Sequence, residues 1–133
     1  MKTLSIFGAT GSVGDSAFDL LMRAGGPDAY RTVALTGGRN VARLAQMARA
    51  LRAEVAVIAD ESLLGGLRDA LAGSGTRAAA GEAAIDEAAL THVTIFVNGG
   101  QRGLQIVDQV GLFPREQIAL WLAAEMAIGA VFW

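Results

Sequence analysis

LSIFGATGSVGDS, residues 4–16, sets a short apolar run against three glycines, Gly8, Gly11 and Gly14, spaced by three. Between a strand and an amphipathic helix, each glycine of such a loop has its own task. Gly8 turns tightly with positive φ, Gly11 lets backbone approach a ligand, and Gly14 lets the helix lie close to the strand. The ligand this arrangement suits is a pyrophosphate. Unpaired N–H groups at the helix N-terminus and the positive end of its dipole attract an anion without a basic side chain. The hydroxyls of Thr10 and Ser12 add donors. Three glycines alone are a weak signal, but their place at the first strand-to-helix turn strengthens it.

Outward from this loop the chain keeps one rhythm. Short runs rich in Val and Ile alternate with Ala- and Leu-rich segments whose apolar positions recur at three and four. This predicts strands at 3–7, 31–36, 54–59, 76–79 and 93–97, and helices at 12–24, 40–52, 61–72, 82–90 and 101–110. Val55-Ala56-Val57-Ile58-Ala59 is apolar on both faces, as a strand of a helix-covered parallel sheet must be. Val41, Leu44, Met47, Ala48 and Leu51 form one apolar stripe on the second helix. The expected fold is α/β, a doubly wound parallel sheet of Rossmann type with helices on both faces, occupying residues 1–133 as one domain.

Composition narrows the functions. Eleven basic residues against thirteen acidic ones give a net charge of −2, and no cluster of Lys or Arg marks a nucleic-acid surface. Cysteine is absent and His92 is the only histidine, so disulfides, thiolate sites and histidine metal clusters are excluded. Asp15, Asp60-Glu61 and Asp86-Glu87 are scattered acids, expected on solvated helix faces rather than around a divalent ion. No catalytic residue and no metal ligand is therefore assigned. The N-terminus is too short in apolar residues for a signal peptide, and a cytoplasmic location is expected. Residues 118–133, IALWLAAEMAIGAVFW, form an apolar terminal helix in this reading. It is shorter than the about twenty residues of a membrane span and carries Glu125, which argues for a partner surface over a bilayer.

The end of the second strand selects the cofactor. NAD-binding units place a carboxylate there for the ribose hydroxyls, whereas this chain reads Ala34-Leu35-Thr36-Gly37-Gly38-Arg39-Asn40. Arg39 supplies a guanidinium fork suited to a 2′-phosphate, and Asn40 combines helix capping with a further hydrogen bond. NADPH is the expected ligand.

GATGSVG at 8–14, ALTGGRNV at 34–41, EVAVIADESL at 54–63 and the DALAGSG and AAAGEAA segments within 69–84 together resemble the amino-terminal NADPH-binding domain of 1-deoxy-D-xylulose 5-phosphate reductoisomerase. The likeness covers about residues 1–90. It implies an enzyme of non-mevalonate isoprenoid biosynthesis that isomerises its substrate and reduces the intermediate with NADPH to 2-C-methyl-D-erythritol 4-phosphate, with Mg²⁺ or Mn²⁺ required. It also implies cofactor contacts at Thr10, Gly11, Ser12 and Val13, and at Gly38, Arg39 and Asn40.

Residues 91–133 depart from the family's pattern. Thr94 to Leu104 is a loose echo of the family's small-residue loop, and Trp121-Leu122-Ala123-Ala124-Glu125 stands where an Ala-Asn-Lys-Glu-Ser motif is expected. The family's metal and substrate residues belong to a following domain, so a polypeptide of this sequence alone is expected to be inactive. Either a second copy or the catalytic domain is expected to cover the apolar terminal segment. The competing expectation is a free-standing module that senses NADP and acts through a partner or self-association.

Overall fold

The computed structural model describes residues 2–90, 95–98 and 105–108. Six strands form one sheet: β1 (Lys2–Phe7), β2 (Tyr30–Gly37), β3 (Val55–Ile58), β4 (Arg77–Ala80), β5 (Ile95–Asn98) and β6 (Gln105–Asp108). Their order is β4-β3-β2-β1-β5-β6. The first five run parallel, with Ile6 beside Leu35, Ala34 beside Val55 and Leu4 beside Ile95. Four α-helices connect them: α1 (Ser12–Arg23), α2 (Val41–Leu51), α3 (Leu64–Ala70) and α4 (Glu82–Ala89).

Handedness assigns the helices to their faces. From β1 to β4 every step goes the same way across the sheet, so right-handed crossovers put α1, α2 and α3 on one side. The chain then returns past β1 to β5, which puts α4 on the other. The packing agrees. Leu4, Ile6, Leu35, Ala56 and Ile58 of the sheet bury against Leu21 of α1, Leu44, Met47 and Leu51 of α2, and Leu67 of α3. On the opposite face Phe7, Ala34 and Val57 meet Ala84, Ile85 and Ala88 of α4. The predicted stripe of α2 is the buried one, with Leu44, Met47 and Ala48 fully enclosed.

The reversal of strand order lies between β1 and β5. In an open α/β sheet this switch point leaves a crevice at the carboxyl ends of the strands, and the loop after β1 opens onto it.

Two segments differ from the sequence expectation. Residues 101–110 were expected to be helical, but Gln105–Asp108 is a strand paired antiparallel to β5, with Ile95 opposite Asp108 and Asn98 opposite Gln105. Leu104, Val107 and Val110 recur at three and imitate a helical stripe. The β-branched pair Ile106-Val107 favours a strand, and the link from Asn98 is far shorter than the dozen or so residues of a parallel crossover, which leaves antiparallel return. The remainder of that expected helix, and the apolar helix of residues 118–133, lie outside the described residues.

The helix expected at 61–72 is the second difference. It starts as a 3₁₀ turn, Glu61–Leu63, and becomes α-helical only over Leu64–Ala70. Asp60 tightens the entry by accepting the Ser62 N–H at 3.0 Å. Gly65 and Gly66 each cost about 1 kcal/mol relative to alanine inside a helix, which leaves little propensity to lengthen it.

Candidate functional site

The loop joining β1 to α1 is built as its glycines require. Gly8 sits at φ 73°, in the left-handed region. Its N–H donates to Thr36 Oγ1 at 3.0 Å, and the Ala9 N–H donates to the Thr36 carbonyl at 2.7 Å, which pins the turn to the end of β2. A Cβ on Gly14 would stand 2.3 Å from the Ala9 carbonyl oxygen and 2.4 Å from its Cα, so only glycine lets α1 approach the strand this closely. Gly37 makes room in the same way for Thr10, whose Cγ2 would lie 3.1 Å from an added Cβ.

Gly11 is different. The nearest atom to a Cβ there is the Gly8 carbonyl oxygen at 3.5 Å, an ordinary contact, so the fold itself makes no demand for glycine at this position. Gly11 is also the N-cap of α1, exposed, with no side chain capping the helix. The first intrahelical bond is the Asp15 N–H to the Gly11 carbonyl at 2.9 Å. The amides of Ser12, Val13 and Gly14 belong to the turn that precedes it, the set left without intrahelical acceptors. Together these features make a bare, cationic-ended cradle at the mouth of the switch point.

The loop after β2 supplies the neighbouring element. Gly38 has open space where its Cβ would be. Arg39 follows with its side chain 83% exposed, and its Nε lies 3.4 Å from Asp60 Oδ2. Asn40 caps α2, its Oδ1 accepting the Arg43 N–H at 3.1 Å, as expected from the sequence.

Two residues that the linear sequence did not single out as functional stand at this rim. Asp15 and Asp60 were expected as solvated acids, yet each is ion-paired. Arg43 in the first turn of α2 binds Asp15 in the first turn of α1, donates to Gln46 Oε1 at 2.9 Å, and lies 5.1 Å from the centre of the Phe18 ring. A cation at a helix N-terminus opposes the dipole, and Asp15 compensates it. The bridge ties together the two helix ends that flank the site. Asp60 pairs with Arg39 and accepts both the N–H and the hydroxyl of Ser62 at 3.0 and 2.6 Å. No local pattern announces either pair, because the partners come from different β-α units.

The Ser62 hydroxyl, then the Ser62 N–H, and more weakly the Arg39 charge hold the Asp60 carboxyl below its ordinary value of 3.8. The sign follows from linkage. A carboxyl with a lowered folded-state pKa contributes stability that is complete above its unfolded value and is lost as pH falls through the folded one. Carbon-detected NMR titration of Asp60 should therefore give a midpoint below 3.8. Ser62→Ala should move that midpoint upward.

Among the described residues no group of three or more acids, histidines or cysteines gathers at one point to hold a metal ion, and no helix is long and apolar enough to cross a membrane. A cavity of about 40 Å³, lined by Val55, Val57, Ala79 and Ala88 among others, lies under α4 on the face away from α2. It is far smaller than the 300 Å³ or more of typical ligand sites.

A glycine-cradled helix N-terminus at the switch point of a parallel sheet, with an arginine after the second strand, is the arrangement found in Rossmann-type dinucleotide-binding domains, and the fold is of that type. Comparison with known proteins refines that class. The sequence model of 1-deoxy-D-xylulose 5-phosphate reductoisomerase matches residues 4–115, beyond the residue-90 limit of the quoted motifs. The chain belongs to this family. The reductoisomerase of Cereibacter sphaeroides is 72% identical over 89 residues, which are 67% of this chain and 23% of that protein. That of Paracoccus denitrificans is 71% identical over 89 residues, again 67% and 23% of the two lengths. Among solved structures, the Zymomonas mobilis enzyme in complex with NADPH superimposes with a TM-score of 0.68 at 46% identity, covering 71% of this chain and 25% of that one. A reductoisomerase in complex with NADPH, fosmidomycin and magnesium gives 0.59 at 31% identity, with 67% and 22% covered. This chain thus spans about a quarter of the length of the relatives it matches.

Proposed function

We propose that this chain is the NADPH-binding part of a 1-deoxy-D-xylulose 5-phosphate reductoisomerase, the enzyme that isomerises and reduces that substrate to 2-C-methyl-D-erythritol 4-phosphate. The observation that carries the reading is the first turn of α1: an uncapped helix N-terminus, opened by Gly11 at a place where the fold has space for a side chain. NADPH suits the residues present. Thr10, Gly11, Ser12 and Val13 would receive the pyrophosphate, with Gly8 shaping the turn and Gly14 seating the helix. Gly38, Arg39 and Asn40 would receive the 2′-phosphate. When bound, the cofactor supplies the hydride; this chain's contribution is to hold and orient it.

Thermal unfolding with NADPH and NADH tests the assignment. A ligand that binds only the native state at about a hundred times its Kd adds about 2.7 kcal/mol of stability. For a domain of this size that is a rise in Tm of roughly 5–10 °C. NADPH should produce it and NADH should produce clearly less. Arg39→Glu should leave the Tm of the free protein unchanged and abolish the difference, since a charged hydrogen bond to phosphate contributes about 1.5–3 kcal/mol. Equal shifts with both cofactors in the native protein would defeat the NADP assignment.

The divalent metal of the family belongs in this reading to residues other than the acids described here. Assayed with substrate, Mg²⁺ and NADPH, the 133-residue polypeptide is expected to bind cofactor without turnover. Product above background, followed by NADPH oxidation, would show that the chemistry resides within it.

A further inference from the structure

Resting on the NADPH reading, we infer that Asp60 is the positioning residue of the 2′-phosphate site: as the ion-pair partner of Arg39 it keeps the guanidinium at the rim of the loop and strengthens the preference for NADPH over NADH.

Three observations converge on this role. First, Asp60 is fixed before any ligand arrives. Its N–H donates to the Gly38 carbonyl at 3.2 Å, and the preceding Ala59 N–H donates to the Gly37 carbonyl at 2.8 Å, so the end of β3 is stitched to the loop that carries Arg39. Its Oδ1 takes both donors of Ser62. Oδ2 is the oxygen nearer Arg39, 3.4 Å from its Nε, an ion-pair contact longer than a hydrogen bond. Second, the two partners differ in freedom. The Asp60 side chain is 29% exposed and Arg39 is 83% exposed, so the aspartate is the anchor and the arginine the arm. An unanchored arginine gives up much rotamer freedom when it binds a phosphate, and a fixed ion-pair partner removes part of that loss in advance. Third, the ion pair is made on the Nε side, and Nη1 and Nη2 have no partner among the described residues. Two N–H groups on one edge of a planar fork are the geometry that takes phosphate bidentately.

The charge of Asp60 also repels a phosphate, and the balance has to be decided. A phosphate on the outer edge is separated from Asp60 by the whole guanidinium, and the Ser62 donors share the carboxylate's charge. At this exposed rim water and salt screen what remains. Ordering of Arg39 therefore prevails.

The test measures Kd for NADPH and for NADH on the whole chain, by calorimetry, for the native protein, Asp60→Asn, Ser62→Ala, Arg39→Ala and the Asp60→Asn/Arg39→Ala pair. Asparagine keeps an acceptor for Ser62, and far-UV circular dichroism with Tm verifies each fold. Asp60→Asn should weaken NADPH about threefold to fivefold, the size of an exposed ion-pair coupling, and leave NADH unchanged. Ser62→Ala should weaken NADPH in the same direction by less. In the Arg39→Ala background Asp60→Asn should add nothing. Equal weakening of both cofactors, tighter NADPH binding, no change, or additivity with Arg39→Ala each overturns the positioning role. A native protein without preference for NADPH would instead overturn the cofactor reading on which it rests.

Discussion

Gly14→Ala should cost the domain about 3 kcal/mol, over half of its native stability if that stands at the low end of the usual 5–15 kcal/mol. In most helices the same substitution gains up to about 1 kcal/mol from propensity. Here the methyl group would meet Ala9 oxygen, Cα and carbonyl carbon at 2.3, 2.4 and 2.5 Å. All three are main-chain atoms, so no rotamer change relieves the clash. Either α1 lifts from the sheet or the loop after Gly8 gives up its bonds to Thr36. Lifting α1 would withdraw Ala17 and Leu21, both buried in the main core. Urea unfolding followed by circular dichroism gives the answer: a midpoint shifted far down. A midpoint equal to the native one would mean that the helix does not pack where described.

Gly11→Val, only three residues away, should do the reverse. Its backbone at φ −82°, ψ 179° is extended and open to any residue, and its Cβ direction meets nothing closer than 3.5 Å. Valine is a poorer N-cap than glycine, which costs on the order of 1 kcal/mol. The fold should survive with a modestly lower Tm. The added side chain, however, occupies the approach to the first-turn amides, where a pyrophosphate would sit. NADPH and NADH affinity should both fall by about a hundredfold or more, the weight of two or three charge-assisted hydrogen bonds. Calorimetry at millimolar cofactor reads the loss. Normal binding by Gly11→Val would place the phosphate site elsewhere in the molecule.

The contrast between these neighbours marks how far the sequence can be read. Gly8 and Gly14 were legible because their roles are local: a turn and a close packing, both within one strand-loop-helix unit. The alternation of strands and helices through residue 90 was legible for a similar reason, since apolar period marks the elements and glycines flank most of their boundaries. Asn40 is a further case, because a cap acts within three residues. The strand Gln105–Asp108 was misread where helical and extended patterns compete over a few residues, and pairing with β5 decided the outcome. Asp15 with Arg43, and Asp60 with Arg39, were invisible for a different reason. Each pair joins residues from separate β-α units, and only the order of the strands brings their loops to one edge. Charged residues taken singly look like solvated surface. What converts them into parts of a site is the sheet that sets neighbouring loops side by side.

In the proposed function the uncapped first turn of α1 receives the cofactor's pyrophosphate. Titration of isotopically labelled protein with NADPH, followed amide by amide in nitrogen–proton correlation spectra, tests it most directly. Saturable shifts are expected, largest at Gly11, Ser12, Val13 and Gly14, with a second group at Gly38, Arg39 and Asn40. Saturable binding that leaves those amides in place and moves others, or no binding at millimolar NADPH, would contradict it.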